Sequence, residues 1–306
     1  MGLLIVTKEK GIETWVDNLK QLDSNIEIEV YPNVKNKDKI TFALVWSKLD
    51  IDFAEFKNLK CIASMGAGVD HILSNDTISK DVYITKVVDE KLVSSMWEYL
   101  LCTVLNIVTN HYKYISLQKE SKWEQLTLNS IEDYTIGFMG LGQLGGEISN
   151  RFNKFGFSVK GFSNSKKQIQ DMETFTNLDE FLDGVDILIN LLPLTKDTKG
   201  ILNKNLFYKL NKNAYIINVG RGSHLVEDDL LEVLDSKHLN GAILDVFEKE
   251  PLPKESLLWT HPNIIVTPHS ASLTDPNSVS MQIIENFKRV SKNLIPYNII
   301  DRNKGY

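Results

Sequence analysis

The chain contains very little cysteine and no long apolar run. Only two cysteines occur, Cys61 and Cys102, each among apolar neighbours, which predicts two buried thiols rather than a disulfide or a metal site. Unpaired thiols favour a reducing compartment. The longest apolar stretch, DILINLLPL, falls short of the roughly 20 residues that a bilayer span requires, and no secretory leader is recognisable. We therefore expect a cytoplasmic protein with no membrane partner.

Basic runs are also missing. The formal net charge is −6, and the 34 lysines and arginines are scattered along the chain. A nucleic-acid-binding protein needs a basic stripe, so no nucleic-acid partner is expected. One histidine is a catalytic candidate and is named below. The others form neither an H-x-x-x-H pair nor a cysteine-linked set, so no metal is expected.

Length and composition predict a two-domain α/β protein. A chain of 306 residues exceeds the usual size of one core, and its 42% hydrophobic and 24% charged residues are typical of globular proteins. Short apolar runs alternate with amphipathic segments, as in parallel sheets with crossover helices. They form two series, covering residues 3–6, 26–30, 42–46, 61–65 and 82–85, then 135–139, 157–162, 186–192, 214–219, 242–247 and 264–267. The second series predicts six parallel strands in a doubly wound sheet.

Two helical segments flank the second series. Residues 94–117 carry apolar side chains at three- and four-residue steps, which predicts one long helix at the boundary between the series. After Pro276 the same period predicts a final amphipathic helix. Its apolar face is formed by Val279, Ile283, Phe287 and Val290.

A glycine-rich turn follows the first strand of the second series. The segment GFMGLGQLGGEI has the G-x-G-x-x-G spacing at Gly140, Gly142 and Gly145. Between a strand and a helix, Gly140 can make the tight turn, Gly142 can let a pyrophosphate approach the backbone, and Gly145 can allow close helix–sheet packing. The phosphate charge would face the helix N-terminus. This context favours dinucleotide binding over a purely structural glycine turn.

The second strand of that series is not followed by the acidic residue that an NAD site usually carries. A carboxylate at this position accepts hydrogen bonds from the ribose 2′-OH of NAD. Here the strand is followed by hydroxyl, amide and ammonium groups, at Ser163, Asn164, Ser165, Lys166 and Lys167. These groups can bind a 2′-phosphate, so NADP(H) is expected to be preferred and NAD(H) possible, unless the lysines are only a solvated pair in a surface turn.

Three further motifs each follow a strand of the second series. They are INVGRGSHLVEDDLL with Arg221, GAILDVFEKEPLP with Asp245 and Glu250, and IIVTPHSAS with His269. Open α/β folds bind ligands at the carboxyl edge of the sheet, where these segments could converge. Each residue also has a structural interpretation: a turn-terminating arginine, a solvated glutamate before a proline, and a capping or core histidine.

With these motifs, and with MGAGVDHIL and EYLLCTVL earlier in the chain, the sequence resembles the D-isomer-specific 2-hydroxyacid dehydrogenase family over nearly its whole length. Within it, the chain is most similar to the bacterial glyoxylate/hydroxypyruvate reductase A group. The resemblance implies reduction of a small 2-keto acid to its D-2-hydroxy acid with a nicotinamide cofactor. It implies that Arg221 fixes the substrate's carboxylate and carbonyl, that His269 gives the carbonyl oxygen its proton, and that Glu250 orients the imidazole and favours its protonated form. A planar guanidinium suits the first task, and an imidazole, which titrates near neutrality, suits the second.

The resemblance implies further binding residues. Backbone amides of Ala67, Gly68 and Val69 would bind the substrate carboxylate, although a plain turn is also possible, and Trp46 would wall the pocket unless it is a core residue. For the cofactor the resemblance adds, beside Arg221 and His269, the residues Gln143, Leu144, Leu192, Pro193, Thr198, Val219, Gly220, Asp245 and Ala271.

The fold that we expect is a pair of Rossmann-like/flavodoxin-like α/β domains with doubly wound parallel sheets. A dinucleotide-binding domain of residues 96–274 would be inserted into a substrate domain of residues 1–95 plus 275–306. The family usually forms dimers, and residues 106–129, including Trp123, are the candidate interface of a homodimer. Two alternatives remain: an NAD-dependent dehydrogenase of the D-lactate or phosphoglycerate type, disfavoured by the missing acidic residue after Phe162, and a non-catalytic NAD(H)-sensing binding protein, disfavoured by the intact arginine, glutamate and histidine.

Overall fold

The computed structural model describes residues 1–7, 11–46 and 50–305, in which parallel strands alternate with helices. The strands are β1 (Gly2–Val6), β2 (Glu27–Val30), β3 (Ile40–Val45), β4 (Cys61–Ser64), β5 (Tyr83–Thr85), β6 (Thr135–Met139), β7 (Ser158–Phe162), β8 (Glu173–Phe175), β9 (Ile187–Asn190), β10 (Ala214–Asn218), β11 (Leu239–Leu244) and β12 (Ile264–Val266). The helices are α1 (Ile12–Leu22), α2 (Asp70–Leu73), α3 (Glu90–Val108), α4 (His111–Lys119), α5 (Gln143–Phe155), α6 (Leu178–Leu182), α7 (Lys204–Phe207), α8 (Glu227–Asp235) and α9 (Pro276–Ser291). Short 3-10 turns lie at Lys37–Lys39, Phe53–Glu55, Ile131–Asp133, Gly222–His224 and Leu257–Trp259.

The chain divides into two compact units, one of Met1–Leu92 with Leu273–Tyr306 and the other of Val93–Ser272. Among the described residues, the first unit carries a five-stranded sheet in the order β2-β1-β3-β4-β5 and the second a seven-stranded sheet in the order β12-β11-β10-β9-β6-β7-β8. The first order is that of flavodoxin-like folds, and the second is the Rossmann order extended by one strand. The predicted α/β class with doubly wound parallel sheets is confirmed.

Both sheets are buried on both faces, which is why their strands read as continuous apolar runs. In β9, Leu188 packs into one hydrophobic cluster, whereas Ile187 and Ile189 pack into the cluster on the opposite face. In β1, Leu3 and Leu4 divide in the same way between two clusters of the first unit. Each such fully buried side chain contributes about 1.5–3 kcal/mol.

The second sheet differs from the predicted one at two strands. The sequence predicts six strands, but β8 adds a seventh, parallel to β7. It escapes the pattern because it has three residues and only one apolar side chain, Phe175. Strand β11 begins at Leu239 and ends at Leu244, so it lies earlier than the predicted run 242–247. Residues 245–247 belong instead to the loop after β11, where the Asp245 carboxylate binds backbone amides of another loop.

The predicted helix over 94–117 is two helices, α3 and α4, with a 64° bend between them. Asn110 lies at the bend in the left-handed conformation, with φ 57°, and its Nδ2 donates to the backbone oxygen of Thr127 at 3.0 Å. Asparagine adopts this conformation at low cost. The prediction of two buried thiols is also wrong: Cys61 is buried, but Cys102 is exposed, two residues along α3 from the buried Leu100 and therefore on another face.

The final helix has the predicted apolar face. In α9, Val279, Ile283, Phe287 and Val290 are all buried, and the helix packs against α1 and strands β3 and β4 of the first unit. Asp275 caps its N-terminus by accepting from the backbone N–H of Asn277.

No single helix in the described ranges is both long enough and apolar enough to cross a membrane. Only α3 and α4 taken together, across their bend, would satisfy a test of length and apolar composition.

Candidate active site

The cofactor and catalytic candidates lie at one edge of the second sheet. Each follows the carboxyl end of a strand, and the six strands concerned are consecutive neighbours in the sheet. Gly140 follows β6, Ser163 follows β7, Leu192 follows β9, Arg221 follows β10, Asp245 and Glu250 follow β11, and His269 follows β12. The fold thus brings these loops together, as expected for the ligand-binding edge of an open α/β sheet.

The glycine turn has the geometry of a dinucleotide-binding loop. Gly140 has φ 103°, and a Cβ there would lie 2.8 Å from the backbone oxygen of Leu191. At Gly145 a Cβ would lie 1.9 Å from the oxygen of Gly140, so α5 packs directly against the turn. At Gly142, which precedes α5, a Cβ would meet no protein atom within 4 Å. The protein itself therefore needs glycine at positions 140 and 145, whereas the exposed Gly142 leaves room for a group bound outside the backbone.

Gln143 and Leu144 form the first turn of α5, where backbone N–H groups point out of the helix. Their amides, and the positive end of the helix dipole, suit a pyrophosphate. The residues present therefore fit a dinucleotide.

The turn after β7 exposes polar groups. Ser163 Oγ donates to the backbone oxygen of Ser165 at 2.7 Å, and the Ser163 backbone N–H donates to Phe175 O at 3.1 Å. These bonds fix the turn, while Asn164, Ser165 and Lys166 are exposed. The turn thus offers a lysine and an amide, with no carboxylate between residues 163 and 167.

A hydrogen bond joins the side chains of Glu250 and His269. The Nδ1–H of His269 donates to Glu250 Oε2 at 2.8 Å, and both side chains are about one-third exposed, at 33% and 36%. The other carboxylate oxygen, Oε1, accepts from the backbone N–H of Phe247 at 3.0 Å. Glu250 is therefore fixed at both oxygens, and it fixes the imidazole.

Opposing effects act on the pKa of Glu250. Its partial burial raises the pKa, but the hydrogen bonds from His269 and Phe247 N–H, with the charges of His269 and Arg221, together hold the pKa below its ordinary value of 4.5. The net shift keeps Glu250 ionised through the neutral range, so it can support a positively charged imidazole.

The backbone at His269 is unusual. The residue lies in the left-handed region, with φ 53°, and its N–H donates to the backbone oxygen of Asp245 at 2.8 Å. The buried Asp245 carboxylate accepts from Thr267 Oγ1 at 2.6 Å, Ser270 N–H at 2.8 Å and Ala271 N–H at 3.0 Å. Asp245 thus holds the loop that carries His269.

Two further residues, Tyr99 and Thr267, support this loop, and the sequence does not predict their pairing. The Tyr99 hydroxyl on α3 lies 2.7 Å from Thr267 Oγ1, which in turn donates to Asp245. Burial raises the pKa of Tyr99 to about 12, against the lowering effect of the Thr267 bond, so the group is a neutral hydroxyl. No local motif marks such a pair, because the two residues are 168 positions apart.

Arg221 lies in a tight turn close to Glu250. A Cβ at the next residue, Gly222, would lie 1.8 Å from the backbone carbon of Phe247, whose N–H binds Glu250. Arg221 Nη1 donates to Gly220 O at 2.8 Å, and Arg221 is among the charges that lower the Glu250 pKa. The second unit therefore brings the arginine, glutamate and histidine candidates onto touching loops.

The remaining cofactor candidates form a short segment after β9 and the strand end before Arg221. Thr198 Oγ1 donates to Pro193 O at 2.7 Å, which closes the segment, and Leu192 and Val219 are buried. Gly220 packs against Asn190 and His224, two residues that the sequence analysis left without a role.

The substrate-loop candidates follow β3 and β4 of the first unit. Ser64 Oγ accepts from Gly66 N–H at 3.2 Å and donates to Gly68 O at 2.7 Å, which shapes the turn that contains Ala67. Val69 is buried. Trp46 is partly buried and packs against a hydrophobic cluster of the first unit, and a Cβ at Gly66 would lie 2.5 Å from its ring.

No group of three or more histidine, cysteine or acidic residues within residues 1–7, 11–46 and 50–305 could hold a metal ion.

Comparison with known proteins identifies the family. The family model described as "D-isomer specific 2-hydroxyacid dehydrogenase, NAD binding domain" matches residues 101–271. A glyoxylate/hydroxypyruvate reductase A from Serratia proteamaculans is 36% identical over 302 residues, covering 96% of each chain. An NADPH-dependent glyoxylate/hydroxypyruvate reductase from Sinorhizobium meliloti, solved with NADP and sulfate, superposes with a TM-score of 0.92 at 36% identity over 100% of both chains. A D-isomer specific 2-hydroxyacid dehydrogenase from Xanthobacter autotrophicus, solved with NADPH and MES, gives a TM-score of 0.93 at 32% identity over 100% of this chain and 99% of that one. The chain belongs to the D-isomer-specific 2-hydroxyacid dehydrogenase family.

Proposed function

We propose that this protein reduces a small 2-keto acid, of the glyoxylate or hydroxypyruvate type, to the D-2-hydroxy acid and prefers NADPH to NADH. The observation that carries the proposal is the His269–Glu250 hydrogen bond of 2.8 Å at the sheet edge that also bears the glycine turn. The names of the relatives from Serratia and Sinorhizobium support the substrate class.

The proposed chemistry divides the work among three side chains. Arg221 binds the substrate's carboxylate and carbonyl oxygen through its planar donors. The nicotinamide, when bound, supplies the hydride to the carbonyl carbon. His269 gives its Nε2 proton to the carbonyl oxygen. Before this transfer, Glu250 stabilises the imidazolium by accepting a hydrogen bond from its Nδ1–H. In the reverse direction His269 accepts that proton.

We propose that the second unit binds the cofactor along the sheet edge. Gly140, Gly142, Gln143, Leu144 and Gly145 would hold the pyrophosphate, and Ser163, Asn164, Ser165 and Lys166 the 2′-phosphate. Leu192, Pro193, Thr198, Val219, Gly220, Asp245 and Ala271 would complete the site. The absence of a carboxylate between residues 163 and 167 supports the NADPH preference, as do the NADP(H) complexes of the structural neighbours.

In the first unit, the proposed substrate contacts are the backbone amides of Ala67, Gly68 and Val69. Trp46 is proposed to limit the size of the substrate. The polar turn stabilised by Ser64 supports the first proposal, because it leaves the small residue Ala67 exposed.

Two properties of the whole protein are also proposed. Residues 106–129 are proposed to form a homodimer interface, which is supported by the fully exposed Trp123 in that stretch. A cytoplasmic location is proposed from the two unpaired cysteines.

The test of the function is a panel of keto acids assayed in parallel with NADPH and NADH. Wild type is expected to reduce glyoxylate and hydroxypyruvate with a higher kcat/KM for NADPH than for NADH, and the product from hydroxypyruvate is expected to be D-glycerate on chiral chromatography. His269→Ala lowers kcat by about 10²–10⁴-fold, the usual contribution of a general acid. The matched control is His261→Ala, which removes another histidine near a carboxylate, 3.5 Å from Asp235.

Three results would contradict the proposal in different ways. A higher kcat/KM with NADH would favour the D-lactate or phosphoglycerate type of dehydrogenase. Binding of NAD(H) without turnover of any acid would favour the sensing protein. Equal losses in His269→Ala and His261→Ala would remove His269 from the mechanism.

A further inference from the structure

A buried polar cluster lies beneath the turn that carries Arg221. Asn190 ends β9, Asn218 ends β10, and His224 closes the 3-10 turn that follows; all three are 0% exposed. Buried polar side chains are costly unless they are hydrogen-bonded, so the bonds that each of them makes indicate what the cluster does.

His224 is bound at both ring nitrogens. Its Nδ1 lies 2.9 Å from Asn190 Nδ2 and 3.2 Å from the backbone nitrogen of Arg221. Both partners are N–H donors, so Nδ1 is an acceptor and carries no hydrogen. The Nε2 atom then carries the hydrogen of a neutral imidazole, and it lies 3.3 Å from the backbone oxygen of Pro193.

The cluster fixes the peptide groups on both sides of Arg221. The backbone N–H of Arg221 donates to His224 Nδ1, while its backbone oxygen accepts from Asn218 Nδ2 at 3.1 Å and from His224 N–H at 3.1 Å. Packing leaves no room for a side chain at the preceding residue, since a Cβ on Gly220 would lie 2.9 Å from Asn190 Nδ2. The origin of the Arg221 side chain is therefore set by His224 and the two asparagines.

The same imidazole reaches the segment after β9. Pro193 O, which faces His224 Nε2, also accepts from Thr198 Oγ1 at 2.7 Å. At the start of the segment, Leu192 N–H donates to Asn190 Oδ1 at 3.2 Å. One buried ring thus joins the backbone of the arginine turn to the backbone of residues 190–198.

We propose that His224, as a neutral imidazole with its hydrogen on Nε2, is a positioning residue for two binding loops at once. Through Nδ1 it sets the arginine that holds the keto acid, and through Nε2 it sets the segment that lines the nicotinamide cofactor. The inference rests on the proposed function, because the roles of the two loops do. As a consequence, loss of Nδ1 should weaken binding of the keto acid, and loss of Nε2 should weaken binding of the cofactor.

Two substitutions separate the two bonds. In His224→Asn the side-chain oxygen takes the place of Nδ1, so Arg221 keeps its acceptor and Pro193 loses its donor. In His224→Gln the side-chain amide takes the place of Nε2, so Pro193 keeps its donor and Arg221 loses its acceptor. The matched controls are His238→Asn and His238→Gln: the Nε2 atom of His238 also faces a backbone oxygen, that of Phe207 at 3.0 Å, but at the opposite edge of the sheet, beside the start of β10.

The expected result is a crossed pattern. His224→Asn raises the Kd of NADPH, measured by fluorescence titration without keto acid, between about two- and tenfold and leaves the KM of the keto acid near that of wild type. His224→Gln raises the KM of the keto acid and lowers kcat by a similar factor, and it raises the Kd of NADPH less than His224→Asn does. Both His238 variants keep all three values. Equal effects of the two His224 variants, or no effect of either on ligand constants, would overturn the proposal.

The tautomer is tested on wild type without any substitution. Nitrogen-15 NMR of labelled histidine should show one imidazole with hydrogen on Nε2 and a bare Nδ1, which disappears from the spectrum of His224→Gln. A hydrogen on Nδ1 of that residue would refute the proposed bond to Arg221. The Kd of NADPH and the tautomer are measured without turnover, so both test the role of His224 even if the protein reduces none of the acids. Absence of keto-acid reduction would refute only the proposed function.

Discussion

His269 holds a backbone conformation that a residue with a side chain adopts at a cost of about 1–2 kcal/mol. The surrounding bonds offset this cost. The backbone oxygen of Asp245 accepts from the His269 N–H, and the Asp245 carboxylate binds the next two amides. Hydrogen bonds to a charged acceptor each contribute about 1.5–3 kcal/mol. Left-handed residues held in this way are concentrated at functional sites, and here the conformation presents Nδ1 to Glu250.

The first prediction concerns the charge of Glu250. In Glu250→Gln the side chain keeps its shape and an acceptor for Phe247 N–H, but a neutral amide no longer stabilises the imidazolium. We expect kcat/KM for keto-acid reduction to fall by about 10²-fold, and the alkaline decline of the pH–rate profile to begin at lower pH. Steady-state rates across the pH range measure both. A profile of unchanged position would show that the carboxylate only orients the ring.

The second prediction concerns stability and pH. Folding lowers the pKa of Glu250 below its ordinary value of 4.5. At a pH between the folded and the unfolded pKa, the unfolded chain therefore binds more protons than the folded one. The stabilisation is fully present above the unfolded pKa and is lost as pH falls through the lower folded pKa. The free energy of unfolding of wild type should therefore exceed that of Glu250→Gln by more at about pH 6 than at about pH 3. Urea titrations measure this free energy. If the advantage of wild type over Glu250→Gln grew on acidification, the hydrogen bond between His269 and Glu250 could not be its source.

At the scale of elements, strand order makes much of the site predictable. Parallel strands all have their carboxyl ends at one edge of the sheet. The sequence motifs that follow apolar runs therefore predict that Arg221, Glu250 and His269 lie in loops at the same edge. The same reasoning misses β8, whose three residues lack a pattern, and the break at Asn110, where a residue compatible with a helix adopts φ 57°. The sequence also gives no sign of the bonds that join Ser270 N–H to Asp245 and Asn190 to His224, because these partners are 25 and 34 residues apart and leave no local signal.

The third prediction tests the turn between β6 and α5. In Gly142→Ala the added Cβ meets no protein atom within 4 Å, so the fold and its melting temperature should be kept, while the Kd of NADPH should rise because the pyrophosphate requires that space. Gly145→Ala should instead destabilise the second unit, since its Cβ would lie 1.9 Å from Gly140 O. Calorimetry of the two variants, with and without NADPH, separates the effects. An unchanged affinity in Gly142→Ala would argue against cofactor binding at this turn.

At the scale of the whole molecule, residues 120–130 present an unusual surface. The side chains of Trp123 and Leu128 are 103% and 94% exposed, although hydrogen bonds hold the backbone around them: Tyr114 Oη accepts from Leu126 N–H at 3.1 Å, and Thr127 O accepts from Asn110 Nδ2 at 3.0 Å. A fixed segment with large apolar side chains in water is typical of an interface. Burying a tryptophan of about 150–250 Å² contributes about 4–6 kcal/mol.

The fourth prediction is that a second copy of the chain covers this segment. A two-fold interface contains every residue twice, so Trp123→Glu or Leu128→Glu adds two buried carboxylates and should convert a dimer to a monomer. The control is Leu257→Glu in the same unit, where the 66% exposed side chain lies in the short turn Leu257–Trp259 and the mass should not change. Sedimentation velocity at micromolar concentration measures all four proteins. A wild type that sediments as a single chain, or a Trp123→Glu variant that stays dimeric, would exclude this segment as the interface, because two desolvated carboxylates cost more than the remaining apolar contacts could offset.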